Sequence, residues 1–228
     1  MSFMLISLMY SYWYLPASYN AMTEYGRGCR AFEHIFSQAE CGACGAFALA
    51  SVYGMRSCKN GGNDLPSPYR IFDCANSDCK LGMSITSLAA SMRIGVTDLA
   101  QTPPVYGWGC PSAGGPVRIR ALIPIMTTSF IKRDILANGP VLASVTASDE
   151  YMSYSTGVHA DGVIFPGNHM VAVIGWGAAT DTEPEHWIIQ NSWSSDWGEG
   201  GRGKHVMSYF DVMFTVYTAY AAQHDSRR

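Results

Sequence analysis

The chain contains seven cysteines among its 228 residues, and this odd number constrains its fold more than any other feature. Cysteines at this density are typical of proteins from oxidising compartments, where they pair in disulfides. Three disulfides would leave one thiol over. The sequence therefore predicts a cross-linked protein of the secretory pathway that carries one free cysteine with a role of its own.

Composition narrows the classes of function. Apolar residues make up 48% of the chain and charged residues 14%, which suits one globular domain or two lobes that share a cleft. The net charge is -3 and the 15 basic residues are scattered, so nucleic acid is excluded as a partner. Residues 1–14 are apolar but too short to span a bilayer, and we interpret them as a signal remnant or an extension, with no stable membrane span.

The order of predicted elements indicates an α+β protein in which helices come first and strands follow. Apolar periodicity and glycine stops predict helices over Cys44 to Arg56, Leu81 to Gly95 and Ser129 to Gly139. A connection rich in proline and glycine, Pro103 to Pro116, marks the boundary between lobes. Runs rich in β-branched and aromatic residues predict strands starting at Pro140, Asn168 and Glu185.

The segment QAECGACGAF, Gln38 to Phe47, places Cys44 at the start of a predicted helix and Cys41 three residues earlier. A C-x-x-C redox pair would need a thioredoxin-like βαβ context, and a zinc site would need a second ligand pair, which Cys74 and Cys79 are too far apart to form. The third interpretation is a nucleophile beside a half-cystine. It predicts a histidine and an amide far downstream.

Both residues occur where this interpretation requires them: His169 in NHMVAVIGWG and Asn191 in QNSWSSDWGEGG. With Gln38 and CGACGAF, these four segments stand in the order found in papain-like cysteine peptidases, which the chain resembles from about Leu15 to Tyr220. The resemblance implies a papain-like two-lobe fold, with a helical lobe over 15–120 and a β-rich lobe over 121–228. The cleft would lie between them.

The resemblance also implies the role of each residue. Cys44 is the nucleophile, His169 its acid and base, and Asn191 orients the imidazole under the cover of Trp193. Gln38 and the backbone N–H of Cys44 would form the oxyanion hole. The reaction needs no cofactor and no metal. Expected partners are peptide or protein substrates and protein inhibitors of papain-like enzymes, and the chain is expected to be a monomer in a lysosome-like, vacuolar or extracellular location.

Within the family, LPASYN and the positions of Cys29 and Cys58 around Cys44 are similar to the cathepsin B group. This resemblance implies the disulfides Cys29–Cys58, Cys41–Cys79 and Cys74–Cys110, whereas spacing alone leaves 15 pairings open. It also implies four substrate-binding positions besides Trp193: Gly82, Leu81, Asn168 and Val216. The other histidines, at positions 34, 159, 186, 205 and 224, are interpreted as structural or solvated.

Two departures from the family pattern affect the predicted activity. Gly45 stands where the family nearly always has an aromatic residue beside the nucleophile. The segment Met83 to Thr128, which would hold the occluding loop of cathepsin B, contains no histidine and one cysteine, Cys110. We therefore expect an endopeptidase. The alternative is a catalytically silent homologue that binds peptides or partners in the same cleft.

Overall fold

The structure is a computed structural model that describes residues 15–110, 112, 114–160, 167–207 and 213–218, with backbone only for 214–218. The segment 1–14, interpreted above as a signal remnant or extension, lies outside these residues. Within the described part of the chain, no helix is long and apolar enough to cross a membrane.

The helices lie in two groups along the chain. The first group is α1 (Ala21–Tyr25), α2 (Arg30–Glu33), α3 (Cys44–Lys59), α4 (Pro68–Cys74) and α5 (Ile85–Ile94), followed by a short 3-10 turn (Leu99–Gln101). The second group is α6 (Thr128–Asn138) and α7 (Asp149–Met152). The first group precedes most of the sheet, as the predicted α+β order requires.

The central helix is α3, whose first residue is Cys44. Phe47, Ala50 and Met55 were expected to form one apolar face, but every residue from 45 to 57 is buried. A helix that is apolar all round belongs inside a protein. The charged residue in this buried stretch is Arg56, whose partners are described below.

The second predicted helix begins later than the sequence suggested. It was expected from Leu81, but α5 starts at Ile85, because Gly82 has a φ of 72° and the Ser84 side chain accepts a hydrogen bond from the Ser87 N–H. A left-handed residue and an N-cap together end the preceding turn and start the helix. The helix ends at Gly95, whose φ is 91°, as predicted.

Within the residues that the structure describes, eight strands form one sheet. They are β1 (Tyr19–Asn20), β2 (Ile119–Ile125), β3 (Val141–Val145), β4 (Val158–His159), β5 (His169–Gly177), β6 (His186–Gln190), β7 (Arg202–Val206) and β8 (Met213–Thr218). The order is β2-β8-β3-β5-β6-β7-β4, and β1 pairs with β5 although it lies within the predicted helical lobe. All pairs are antiparallel except β4 with β7.

Two buried clusters form the core. One surrounds α3 and includes Leu142, Ala172 and Ile174 from the sheet, so the helix packs directly on β3 and β5. The other lies on the opposite face of these strands and is rich in tryptophan and tyrosine. The sheet is thus covered on both faces near β5, where His169 lies.

An ion pair joins α3 to α6. The guanidinium of Arg56 lies 2.5 Å from the Asp134 carboxylate and donates to the carbonyl oxygens of Pro140, at 2.7 Å, and Gly139, at 3.2 Å. The Arg56 side chain is 4% exposed and that of Asp134 is 13% exposed. A buried charge needs such partners, since water cannot solvate it.

Three disulfides cross-link the first half of the chain. The structure pairs Cys29 with Cys58, Cys41 with Cys79, and Cys74 with Cys110, the pairs that the resemblance implies. Cys44 is the free cysteine.

Candidate active site

Cys44 begins α3 and its thiol is half-buried. The preceding residue, Ala43, offers no side-chain cap; the N–H groups of Ala46 and Phe47 donate to its carbonyl, whereas those of Cys44 and Gly45 face the Cys44 thiol. Burial raises the pKa of the Cys44 thiol, whereas the backbone N–H groups of Met170, Gly45 and Cys44 itself lower it. The thiol therefore lies between the start of α3 and the strand that carries His169.

His169 is held by Asn191 at a distance that fixes its protonation. Asn191 Oδ1 lies 2.8 Å from the backbone nitrogen of Ser192, which can only donate. The same oxygen lies 2.8 Å from His169 Nε2, so Nε2 must carry a hydrogen. In the neutral ring, Nδ1 is then left as the acceptor.

The His169 side chain is buried. Burial lowers the pKa of His169 to about 4, while the hydrogen bond that its Nε2 donates to Asn191 raises it. Trp193 stacks on the imidazole with ring centroids 4.5 Å apart, and Tyr151 packs behind both rings. Trp193 therefore covers one face of the His169 imidazole.

Gln38 is linked to the same network through Ser192, which the sequence analysis did not single out. Ser192 Oγ donates to Gln38 Oε1 at 2.7 Å, and Gln38 Nε2 donates to the Cys41 carbonyl at 2.9 Å. Tyr106 also donates from its hydroxyl to the Gln38 carbonyl. The amide therefore has a fixed orientation, and its Nε2 has a second hydrogen to donate. The N-S-W triplet was the available signal for Ser192.

The four predicted substrate-binding positions other than Trp193 differ in exposure and in their contacts. Gly82 has its left-handed backbone beside Gly42, and Leu81 is 89% exposed. Asn168 is exposed, and its Oδ1 accepts from the Ala147 N–H at 2.7 Å. Val216 pairs with Leu122 in the sheet, but its side chain lies outside the described residues.

The space left by the absent aromatic residue at Gly45 is filled from other elements. A Cβ at Gly45 would lie 3.3 Å from each of Met83 Sδ, Leu88 Cδ2 and Met170 Sδ. Two flexible thioethers and a leucine thus close over the glycine, beside the nucleophile. These three side chains therefore occupy space that an aromatic side chain at position 45 would need.

The remaining described histidines lie outside this network. His159 and His205 are buried among Tyr151, Tyr154 and Trp197, behind the ring of Trp193. His224 lies outside the described residues. Within the described ranges, no three His, Cys, Asp or Glu side chains are grouped so that they could hold a metal ion.

A central helix with a free cysteine at its start, packed on a sheet that carries a His–Asn pair, defines a thiol-dependent hydrolase. The sequence signature of the papain family cysteine proteases matches residues 15–210. The chain belongs to this family and is a cysteine-type peptidase.

Relatives place it near the cathepsin B group. The chain is 27% identical to cathepsin B-like cysteine proteinase 4 of Caenorhabditis elegans, over 82% of this chain and 69% of that protein. Its fold is similar to that of procathepsin B S9 from Trypanosoma congolense, with a TM-score of 0.78 at 21% identity, over 91% of this chain and 79% of the other. It is also similar to bromelain from Ananas comosus in complex with the E64 inhibitor, with a TM-score of 0.72 at 22% identity, over 89% and 98% of the two chains.

Proposed function

We propose that the protein is a cysteine endopeptidase in which Cys44 is the nucleophile and His169 the acid and base. The observation that carries this proposal is the oxygen of Asn191, held between Ser192 N–H and His169 Nε2. It fixes the hydrogen on Nε2 and leaves Nδ1 to take the proton of a thiol.

The reaction follows from that tautomer. The Cys44 proton moves to Nδ1, and the thiolate sulfur bonds to the carbonyl carbon of the substrate as the C=O pair moves onto oxygen. When the C–N bond breaks, His169 gives the proton to the leaving amine, and an acyl-enzyme remains. Water then loses a proton to the same nitrogen, attacks the thioester and releases the acid and the thiol.

Burial opposes either charge alone but not the pair. It raises the pKa of Cys44 and lowers that of His169, so a lone thiolate or a lone imidazolium is disfavoured. Transfer of one proton from Cys44 to His169 would instead create opposite charges that stabilise each other. The N–H groups at the start of α3 favour the thiolate further.

Gln38 would stabilise the negative oxygen that forms during attack. One hydrogen of Nε2 is used by the Cys41 carbonyl, and the second is available together with the backbone N–H of Cys44. Each donor of this kind contributes about 3 kcal/mol to the transition state. Ser192 acts here as a positioning residue, because it holds the Gln38 amide through Oε1.

The site favours endopeptidase action on peptide or protein substrates. Met83 to Thr128 contains no histidine, and Cys110 is bonded to Cys74, so this segment has no imidazolium for a terminal carboxylate. The resemblance to cathepsin B places Val216 where that enzyme has a carboxylate able to pair with Arg, which supports an apolar preference two residues before the cut. We also propose that the protein acts in the secretory pathway, in a lysosome-like or vacuolar compartment, or outside the cell. It would act as a monomer and bind protein inhibitors of papain-like enzymes.

Labelling with a peptidyl epoxide or vinyl sulfone tests this function. The purified protein should form one covalent adduct at Cys44, since the other six cysteines are in disulfides. Cys44→Ala is the control and should not be labelled. A folded protein that neither reacts with the probe nor cleaves peptides would instead be a silent, peptide-binding homologue.

A further inference from the structure

A cavity of about 470 Å³ lies beside the segment that leads into Gln38. The stretch 34–37 forms one wall, and Leu99, Thr102 and Pro104 line it from the loop after α5, together with Tyr69. Its volume falls in the range of about 300 to 1,000 Å³ that is typical of ligand sites. None of the roles described above uses this cavity.

The cavity lies on the leaving-group side of the nucleophile. His169 must face the leaving amine, and Trp193 stacks on His169. Ser37, in the cavity wall, forms an antiparallel bridge with Trp193, and the Ser194 N–H donates to the Phe36 carbonyl. The cavity is therefore reached by residues after the cut.

The walls are fixed before any ligand binds. Asp98 accepts two hydrogen bonds from Arg30 and two from backbone N–H groups at Leu65 and Ala100, which anchors the 3-10 turn that carries Leu99. The ring of Tyr106 packs on Tyr69, and its hydroxyl donates to the Gln38 carbonyl. A rigid pocket binds a side chain at lower entropic cost than one that must form.

The lining is suited to an apolar side chain. Ile35, Leu99, Pro104 and the Tyr69 ring supply apolar surface, with Ser37 and His34 adding polar groups. Burial and the nearby Arg30 lower the pKa of His34, so the imidazole brings no fixed positive charge at neutral pH. The Arg30 guanidinium is already paired with Asp98, so an acidic side chain would be desolvated here without a free cationic partner.

We propose that this cavity, the 34–104 pocket, is a specificity site for an apolar or aromatic side chain that follows the scissile bond. An extended peptide advances about 3.3 Å per residue, so a chain alongside residues 38 to 34 reaches the pocket two to four residues after the cut. The proposal rests on the proposed peptidase function. The pocket would add a requirement for an apolar side chain in the substrate to that function.

Pro104→Trp should fill the pocket from its exposed rim, and Val105→Trp is the matched control, because Val105 is exposed and does not line the pocket. Internally quenched peptides would carry Phe, Leu, Ser or Asp at the second, third and fourth positions after the cut. A peptidyl coumarin amide, which has no residue after the cut, measures the active fraction of each protein.

The parent protein should prefer Phe or Leu over Asp at one position by about tenfold in kcat/KM, the size of effect that an apolar pocket supports. Pro104→Trp should lose most of that preference, and Val105→Trp should keep it. Equal rates for Phe and Asp at all three positions, or a full preference in Pro104→Trp, would overturn the pocket.

If the protein cleaves neither the quenched peptides nor the coumarin amide, the peptidase proposal is wrong. The pocket is then tested by measuring peptide binding. Fluorescein-labelled peptides with Phe or Asp at these positions are titrated with Cys44→Ala, and anisotropy is measured. Tighter binding of the Phe peptide, weakened by adding Pro104→Trp, supports the pocket. Equal binding of the two peptides contradicts it.

Discussion

Asp134→Asn removes one charge from the buried ion pair that joins α3 to α6 and keeps the shape of the side chain. The Arg56 guanidinium would remain charged and 4% exposed, and it would lose its carboxylate partner while the carbonyls of Pro140 and Gly139 stay in place. Removal of one partner from a buried pair costs about 3 to 5 kcal/mol. The amide oxygen of Asn can still accept a hydrogen bond. We therefore expect Asp134→Asn to lower the free energy of unfolding by about 3 kcal/mol, the lower end of that range.

A matched control lies on the same helix. Lys132 pairs with Glu185 at 2.5 Å, the distance of the Arg56–Asp134 pair, but Glu185 is 49% exposed. Lys132 is 11% exposed, but water reaches the Glu185 end of the pair, so Glu185→Gln should lower the free energy of unfolding by about 1 kcal/mol, less than Asp134→Asn does. The two substitutions separate the effect of burial from that of distance.

The free energy of unfolding should be measured by urea titration at pH 7, with tryptophan fluorescence as the signal. A Cys44→Ala background prevents self-digestion during the measurement. Comparable losses in Asp134→Asn and Glu185→Gln would refute the argument, because burial would then not decide the strength of the pair.

Cys44→Ala should abolish hydrolysis of a fluorogenic peptide and Asn191→Ala only reduce it, because the nucleophile has no substitute; equal rates in Cys44→Ala and the parent would contradict the assignment. A peptide with a free C-terminus and its amide should be cleaved at similar rates, and dipeptides as main products would contradict endopeptidase action. A peptide series should favour Leu or Val over Arg two residues before the cut, the reverse order being the negative result. The free energy of unfolding should fall as the pH drops from 6.5 towards 3, because burial lowers the pKa of His205 to about 3 and only the unfolded chain takes up the proton. His205→Phe should flatten that decline in urea titrations across the same pH range, and an unchanged slope would show that other groups cause it.

The sequence could predict the parts of the fold that depend on local chemistry. Periodicity and glycine stops placed α3 and α6 to within a few residues, and the motif order brought His169 to Asn191. The start of α5 was missed because the conformation of Gly82 and the cap at Ser84 outweighed an apolar run that continued to Leu81. Caps and left-handed residues decide boundaries more strongly than hydrophobicity.

The sequence could not predict long-range contacts between segments that no motif connects. Met83 and Met170 meet over Gly45 although one lies before α5 and the other in β5, and no local pattern links them. The strand β7, with the sequence RGKHV, has little β-propensity, and its pairing with β6 determines its conformation. Ser192 was overlooked because its role depends on where Gln38 points.

All three disulfides lie between residues 29 and 110, so the half of the protein that carries the nucleophile is also the half held by sulfur bonds. Cys110 is exposed, whereas Cys29 and Cys41 are buried. Thiol exchange depends on access to sulfur, so an added reductant reaches Cys74–Cys110 first. Reducing agents chosen to rescue an oxidised Cys44 during purification would thus loosen the loop that carries Pro104 and Tyr106, and their dose would alter selectivity before it alters turnover.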